Sequence, residues 1–244
     1  TPELIEKLKG EDALVVAHVG GRYTDIKYAH DAELEPSVEV HSSWGTFDWI
    51  LQDAFECGYK VGIVAASDGH KGRPGAEYPG DSQFGSYGGL TCHLLDNLDR
   101  DSFFKAFRSR HHYATTGARI FMNVTATIGD EVVQIGDIVS TSADELEFNF
   151  EVHGTAPIEK IDVFDGLDHI QTIRPWAQTK TLSRLRVTCA GQHYRGRGRL
   201  VKWDVFAKVG AGMIERISPI NFWNPNRQPV LETAQTARWK TVTT

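Results

Sequence analysis

Asp68 and His70 stand two residues apart just beyond the apolar run Val61–Ala66, in the sequence Ser67-Asp68-Gly69-His70. Carboxylate and imidazole are both ligands for borderline divalent ions. In an extended segment residues i and i+2 point to the same side, so both side chains can meet one ion. Lys71-Gly72-Arg73-Pro74-Gly75 follows at once as a sharp basic turn. A fixed cation beside a metal suits an anionic substrate, which makes Arg73 a candidate for substrate binding. The plainer reading is a capped turn after a strand, with Arg73 paired to a loop carboxylate such as Glu77.

Two more apolar segments end in residues of the same chemistry. Ala13-Leu14-Val15-Val16-Ala17 delivers His18, and Val38-Glu39-Val40-His41 ends in an acid and an imidazole. In parallel α/β folds the carboxyl ends of the strands share one face, so distant residues converge there. His18, Asp68 and His70 are therefore the expected catalytic group and metal ligands. Glu39 and His41 either bind the ion or orient a residue that does. The set suits zinc, manganese or iron. Such an ion polarises a phosphoryl oxygen and makes hydroxide available near neutral pH. Other histidines carry less. His30 lies in a polar loop and His93 on a candidate strand, with solvent-facing or structural roles expected for both; His111-His112 closes a helix where cations complement the dipole, and a structural role is expected.

The elements that must position these residues alternate between helix and strand up to about residue 119. Leu4, Ile5 and Leu8 mark a short helix stopped by Gly10. Ala13–Ala17 has the continuous apolar character of a strand buried on both faces. Phe47, Ile50, Leu51, Ala54 and Phe55 form a helical stripe, and Gly58 is its expected stop. After the strand Val61–Ala66 comes a glycine-rich loop, then a candidate strand Gly89–Leu94. Phe103, Phe104 and Phe107 share one face of a helix starting near Asp101. This order predicts parallel strands joined by right-handed crossovers. After Arg119 the texture changes. Leu146, Phe148, Phe150 and Val152 alternate with polar residues, as do Leu185, Val187 and Cys189, and Val201, Trp203, Val205, Ala207 and Val209. With turn signals such as Asp165-Gly166, this predicts an antiparallel β-sandwich over 120–244.

Bulk properties narrow the function classes. The chain has 244 residues, 41% of them hydrophobic and 24% charged, with a formal net charge of -6. That balance gives no support for a general nucleic-acid binder. Three separated cysteines, Cys57, Cys92 and Cys189, form neither a disulfide framework nor a zinc-binding CxxC pair. No apolar run is long enough for a membrane span, and no signal peptide is visible, so the expectation is a soluble protein of undetermined compartment.

Four stretches together resemble the polymerase-and-histidinol-phosphatase (PHP) superfamily of metal-dependent phosphoesterases, in particular a large PHP-like branch with a C-terminal β domain. They are Ala17–Arg22, Val38–Phe47, Ser67–Gly75 and Tyr113–Ile120. The tail Tyr194–Arg199 followed by Trp203-Asp204 resembles the same branch. The resemblance implies a distorted seven-stranded β/α barrel with up to three metal ions at the strand ends. It matches His18 to a late-barrel ligand, Asp68 and His70 to the final Asp-x-His pair, and Glu39-Val40-His41 to a strand end whose ligand role varies.

The family opens with a His-x-His motif, yet only 17 residues precede His18. A whole barrel takes on the order of 200 residues. Residues 1–119 thus match the second half of a barrel. Open strand edges and an uncovered core are unfavourable, so an N-terminal segment or a companion chain is expected to complete it. The leading expectation is a phosphoesterase acting on a small phosphorylated or otherwise anionic substrate, with Arg73 or Arg22 steadying the phosphate. The alternatives are another barrel metallohydrolase cleaving a C–N or C–O bond, and a non-catalytic protein whose β domain, rich in Trp176, Trp203, Trp223 and Trp239, binds a glycan or a partner.

Overall fold

The computed structural model describes residues 2–19, 24–72, 87–175, 184–189, 201–220, 222 and 225–243. Arg22, Arg73, Trp176, Trp223 and the basic run Arg195–Arg199 lie outside them. The chain is mostly β-strand in several small sheets, with few helices, and no closed barrel forms among the described residues.

The first part opens with helix α1 (Pro2–Leu8), which buries no residue. Gly10 ends it at a φ of +82°, a conformation glycine adopts freely. The apolar stretch before His18 is extended but only loosely laddered. Val15 N–H donates to the Leu34 carbonyl at 2.7 Å, and Ala17 forms a single parallel bridge to Val38. The expected two-sided strand is thus a one-sided edge, and Ala13, Leu14, Val15 and Val16 are only partly buried.

Strand β1 (Ser37–Ser42) is buried along its whole length. A tight turn returns the chain as β2 (Gly45–Thr46), which pairs antiparallel with the end of β1. Helix α2 (Trp49–Glu56) then crosses to β3 (Gly62–Ala65), which runs parallel to β1. Helix α2 presents Ile50 and Ala54 to the core, while Phe47 packs there from the preceding turn. Its end is closed by glycine. Tyr59 N–H donates to the Ala54 carbonyl (2.8 Å) and Gly58 N–H to the Phe55 carbonyl (3.0 Å), with Gly58 at a φ of +72°. This is the left-handed cap that satisfies the last helical carbonyls. Val19, Val38 and Ile50 are fully buried, and Ala17, Ile26, Val40, Phe47 and Ala54 join them in one cluster. Each larger side chain contributes roughly 1.5–3 kcal/mol by leaving water, and two of the cluster's members, Ala17 and Val38, directly precede His18 and Glu39.

Strand β4 (Leu90–His93) continues from β3 through a side chain. Thr91 Oγ1 accepts from Ala65 N–H at 2.9 Å and donates to the Ala65 carbonyl at 2.8 Å. Helix α3 (Arg100–Arg108) follows, then β5 (His112–Thr115). The alternation up to about residue 119 predicts parallel strands. Instead β5 pairs antiparallel with β4, because Leu94 N–H bonds the His111 carbonyl (2.9 Å) and folds the helix into a wide hairpin. His112 accordingly belongs to a strand. It is buried at 2% exposure, whereas the sequence suggested a cation at a helix end. His111 pairs with Asp137 at 2.8 Å.

Tyr113 ties β5 to the later strands by donating to the Ile120 carbonyl (2.9 Å) and accepting from Met122 N–H (3.0 Å). Beyond it the chain forms β6 (Phe121–Ile128), β7 (Glu131–Gln134), β8 (Glu147–His153), β9 (Ile161–Asp165), β10 (Asp168–Ile173), β11 (Val201–Lys208), β12 (Val230–Thr233) and β13 (Thr236–Thr243). They pair antiparallel in the orders β7-β6-β8, β10-β9 and β11-β13-β12. The period-two reading holds within β11, where Val201, Trp203, Val205 and Ala207 are the more buried set. It fails for Leu185, Val187 and Cys189, which form no strand and leave Leu185 79% exposed. Alternation supplies two faces but not a partner edge. The described strands after 119 lie in three separate small sheets. Among the described residues after 119 only Ala126 and Ala237 are buried hydrophobics, while Phe148, Phe164, Ile170 and Phe206 are exposed.

Candidate metal centre

Three neighbouring parallel segments bring the chemistry together. The segment through Ala17 lies on one side of β1 and β3 on the other, so their carboxyl ends are adjacent. His18 follows Ala17, Glu39 lies within β1 and Asp68 stands just beyond β3, and one ligand atom from each lies within 4.8 Å of the others. His18 Nδ1 is 3.2 Å from Glu39 Oε1 and 3.1 Å from Oε2, and its Nε2 is 3.4 Å from Asp68 Oδ2. The Glu39 side chain is buried, Asp68 mostly so, and His18 is 41% exposed. The cluster therefore has a closed floor and an open mouth. The hydrogen bond to Glu39 holds the His18 imidazole above its ordinary pKa, with burial opposing it and the Asp68 charge adding to it.

Asp68 Oδ2 is buried and has no hydrogen-bond partner. A carboxylate oxygen in that state costs free energy unless a cation or donor meets it. Two ligands at about 2.1 Å from one ion, at the tetrahedral angle, sit roughly 3.4 Å apart. The His18 Nε2 to Asp68 Oδ2 separation has that value. The donor set and the spacing fit a divalent ion.

The loop carrying Asp68 is held in an unusual shape. Asp68 and His70 have φ of 45° and 55°, in the left-handed region. They do not continue β3 in the extended form that the i, i+2 argument assumes. Such conformations cost of order 1 kcal/mol each and persist only where surroundings impose them. The imposing contacts are visible. Ser43 Oγ donates to the Asp68 carbonyl (3.1 Å), Ser43 N–H bonds the Ser67 carbonyl (3.3 Å), and His70 Nδ1 donates to the Asp68 carbonyl (2.8 Å). His70 Nδ1 also lies 3.3 Å from Asp68 Oδ1, so His70 borders the cluster on its exposed side.

His41 serves elsewhere. Its Nε2 donates to the Tyr87 carbonyl (2.9 Å), and its Nδ1 accepts from the Thr46 hydroxyl (2.7 Å). Both ring nitrogens are engaged by the protein, and burial lowers the pKa, so the ring is a neutral strut. The cause is a bulge. Glu39 pairs with Val64 and His41 with Ala65, so Val40 is an extra residue on β1. A bulge re-aims the side chains that follow it, and Glu39 and His41 part company. Gly89 makes room for the strut: a Cβ there would lie 2.9 Å from His41 Cδ2 and 2.5 Å from Ala65 Cβ.

Ser43, Thr46, Gly89 and the Tyr87 carbonyl are supports that residue types alone did not single out. His93 packs against Phe103 and Phe107. The His30 side chain is buried, bonded to Glu35 at 2.8 Å and stacked on Tyr59. No helix among the described residues is long and apolar enough to cross a membrane. No family model matches the chain, and neither a curated protein nor a solved structure matches it.

Proposed function

We propose that the chain is a metal-dependent hydrolase, of the phosphoesterase kind that its PHP-like stretches suggest. The observation that carries this reading is the buried, hydrogen-bond-free Asp68 Oδ2 facing His18 Nε2 at the ends of parallel segments. His18 and Asp68 would hold a divalent ion, with Glu39 and His70 beside them. When bound, zinc, manganese or iron supplies a Lewis acid for a phosphoryl oxygen and an acidified water. The protein's part is to present two unlike ligands at fixed spacing, over a floor closed by Glu39 and a mouth open to substrate. His70, whose Nδ1–H is given to the Asp68 carbonyl, borders the cluster on its exposed side. Arg22 and Arg73 are the proposed partners of the phosphate. On the same reading residues 1–119 are the second half of a β/α barrel, completed by an N-terminal segment or companion chain, and 120–244 are its β domain.

The test uses the full chain. Elemental analysis after exposure to zinc or manganese is expected to find bound metal, and a generic phosphomonoester and phosphodiester are expected to be hydrolysed. The Asp68→Ala, His70→Ala double variant is expected to lose at least 100-fold in rate. Unchanged hydrolysis by that variant, or turnover only of an amide or glycoside panel, refutes the phosphoesterase reading.

A further inference from the structure

We infer that Glu39 positions His18 and is not itself a metal ligand: its carboxylate takes the His18 Nδ1 proton and so aims Nε2, with Asp68 Oδ2, at the ion. This rests on the metal-centre reading above and assigns the work within it.

The three-residue cluster admits two ion positions. One is between Glu39 and His18 Nδ1, the other between Asp68 and His18 Nε2. The distances and burial separate them. Both Glu39 oxygens lie within hydrogen-bond reach of the same nitrogen, at 3.2 and 3.1 Å, so a shared N–H fits both at once. Glu39 sits in the buried strand β1, with its side chain 8% exposed, where a charge must be met in place. The His18 proton meets it. Asp68 differs. Its Oδ2 is equally sealed, is 3.4 Å from Nε2, and forms no hydrogen bond. That oxygen faces the His18 ring without a hydrogen bond, and an ion between the two completes both without disturbing Glu39. An ion on the Nδ1 side would displace the Glu39 hydrogen bond and leave Asp68 Oδ2 unmet. A carboxylate bonded to the non-coordinating nitrogen of a metal-bound imidazole fixes its tautomer and raises its basicity, and removing such a partner typically costs 10–100-fold in affinity. The bulge at Val40 serves this division, since it lets Glu39 face His18 while His41 turns to Thr46 and Tyr87.

The experiment reads the two imidazole nitrogens of His18 separately by long-range ¹H–¹⁵N correlation on the full chain, with zinc as the probe. In metal-free protein at pH above the imidazole titration, Nδ1 is expected to carry the proton. On adding zinc, Nε2 is expected to shift as the coordinated nitrogen while Nδ1 stays protonated. Glu39→Gln is expected to weaken zinc binding 10–100-fold with the stoichiometry and the Nε2 signature retained, and Asp68→Asn to abolish binding. Zinc shifting Nδ1 in place of Nε2 makes Glu39 a ligand and overturns the assignment while sparing the metal centre. No zinc bound at any concentration up to millimolar overturns the centre itself. The wild-type spectra decide the matter even if a variant fails to fold.

Discussion

His18 Nε2 and Asp68 Oδ2 face each other at 3.4 Å across the end of β1, although the residues come from segments on its opposite sides. Fifty positions of chain separate them, and the parallel pairing together with the turn held by Ser43 closes the distance. An ion binding there should stabilise the fold, because the unfolded chain offers no such pair. Zinc at a hundred times its dissociation constant is expected to add about 2.7 kcal/mol, or about 5–10 °C in Tm for a chain of this size. Thermal unfolding with zinc and with chelator measures it. Asp68→Asn should abolish the shift; an equal shift in that variant places the ion elsewhere.

His112 predicts an acid-sensitive fold. Its Nε2 lies 2.9 Å from Ser37 Oγ, and the ring packs against His93 and Phe107. Burial first, then the nearby His93, pushes its pKa down from 6.5 to about 4. Arg110 and His111 also disfavour its charge, while the Ala106 carbonyl favours it. The folded state therefore binds fewer protons than the unfolded state between those values. The stabilisation is complete above pH 6.5 and is lost as pH falls toward 4, by at most about 3 kcal/mol. Urea unfolding across that window should show the loss in wild type and a shallower slope in His112→Asn. Equal slopes would place the titrating group elsewhere.

Gly89→Ala should loosen the back of the metal centre. The new Cβ would lie 2.5 Å from Ala65 Cβ and 2.9 Å from His41 Cδ2, and 3.2 Å from Ala66 N, so β4 must move away from β3. Overpacking of this kind costs roughly 1–3 kcal/mol. A denaturation midpoint equal to that of wild type would show that the two strands approach less closely.

Asp99 begins α3 by accepting from Ser102 N–H at 2.7 Å, and this bond holds its carboxyl below the usual range. Asp99→Ala should cost about 1 kcal/mol, and Asp99→Asn much less. The difference is measurable as a Tm lower by about 2–4 °C for the alanine variant. Equal loss in both variants would assign the effect to charge and not to the cap.

His18 and Asp68 were legible in the sequence because an apolar run leads to each, and Glu39 because it lies in the short candidate strand Val38–His41. Two features were not. The bulge at Val40 adds one residue between Glu39 and His41, and nothing in Val-Glu-Val-His announces which ladder bond skips. Period-two logic put both side chains on one side, and the register shift parts them. The left-handed turns at Asp68 and His70 likewise depend on Ser43, which is distant in sequence and acts through backbone carbonyls. The α2 stripe and its stop at Gly58 were readable because helix periodicity and left-handed capping are local. The antiparallel return of β5 was not, since the bond from Leu94 to the His111 carbonyl is a tertiary choice that α3 permits but does not dictate. In the later part, strand periodicity was local and therefore visible, whereas a second layer over Phe148 or Phe206 requires contacts that alternation cannot encode.

Because the cluster draws one residue from each of three chain regions, no short fragment of the sequence can reproduce it. A peptide spanning Asp68 and His70 alone lacks the His18 imidazole, and one ending before Ala65 lacks the acid that faces it. Cation capture at this spot would therefore work as a chemical clock for assembly, silent on a nascent chain until all three regions have docked.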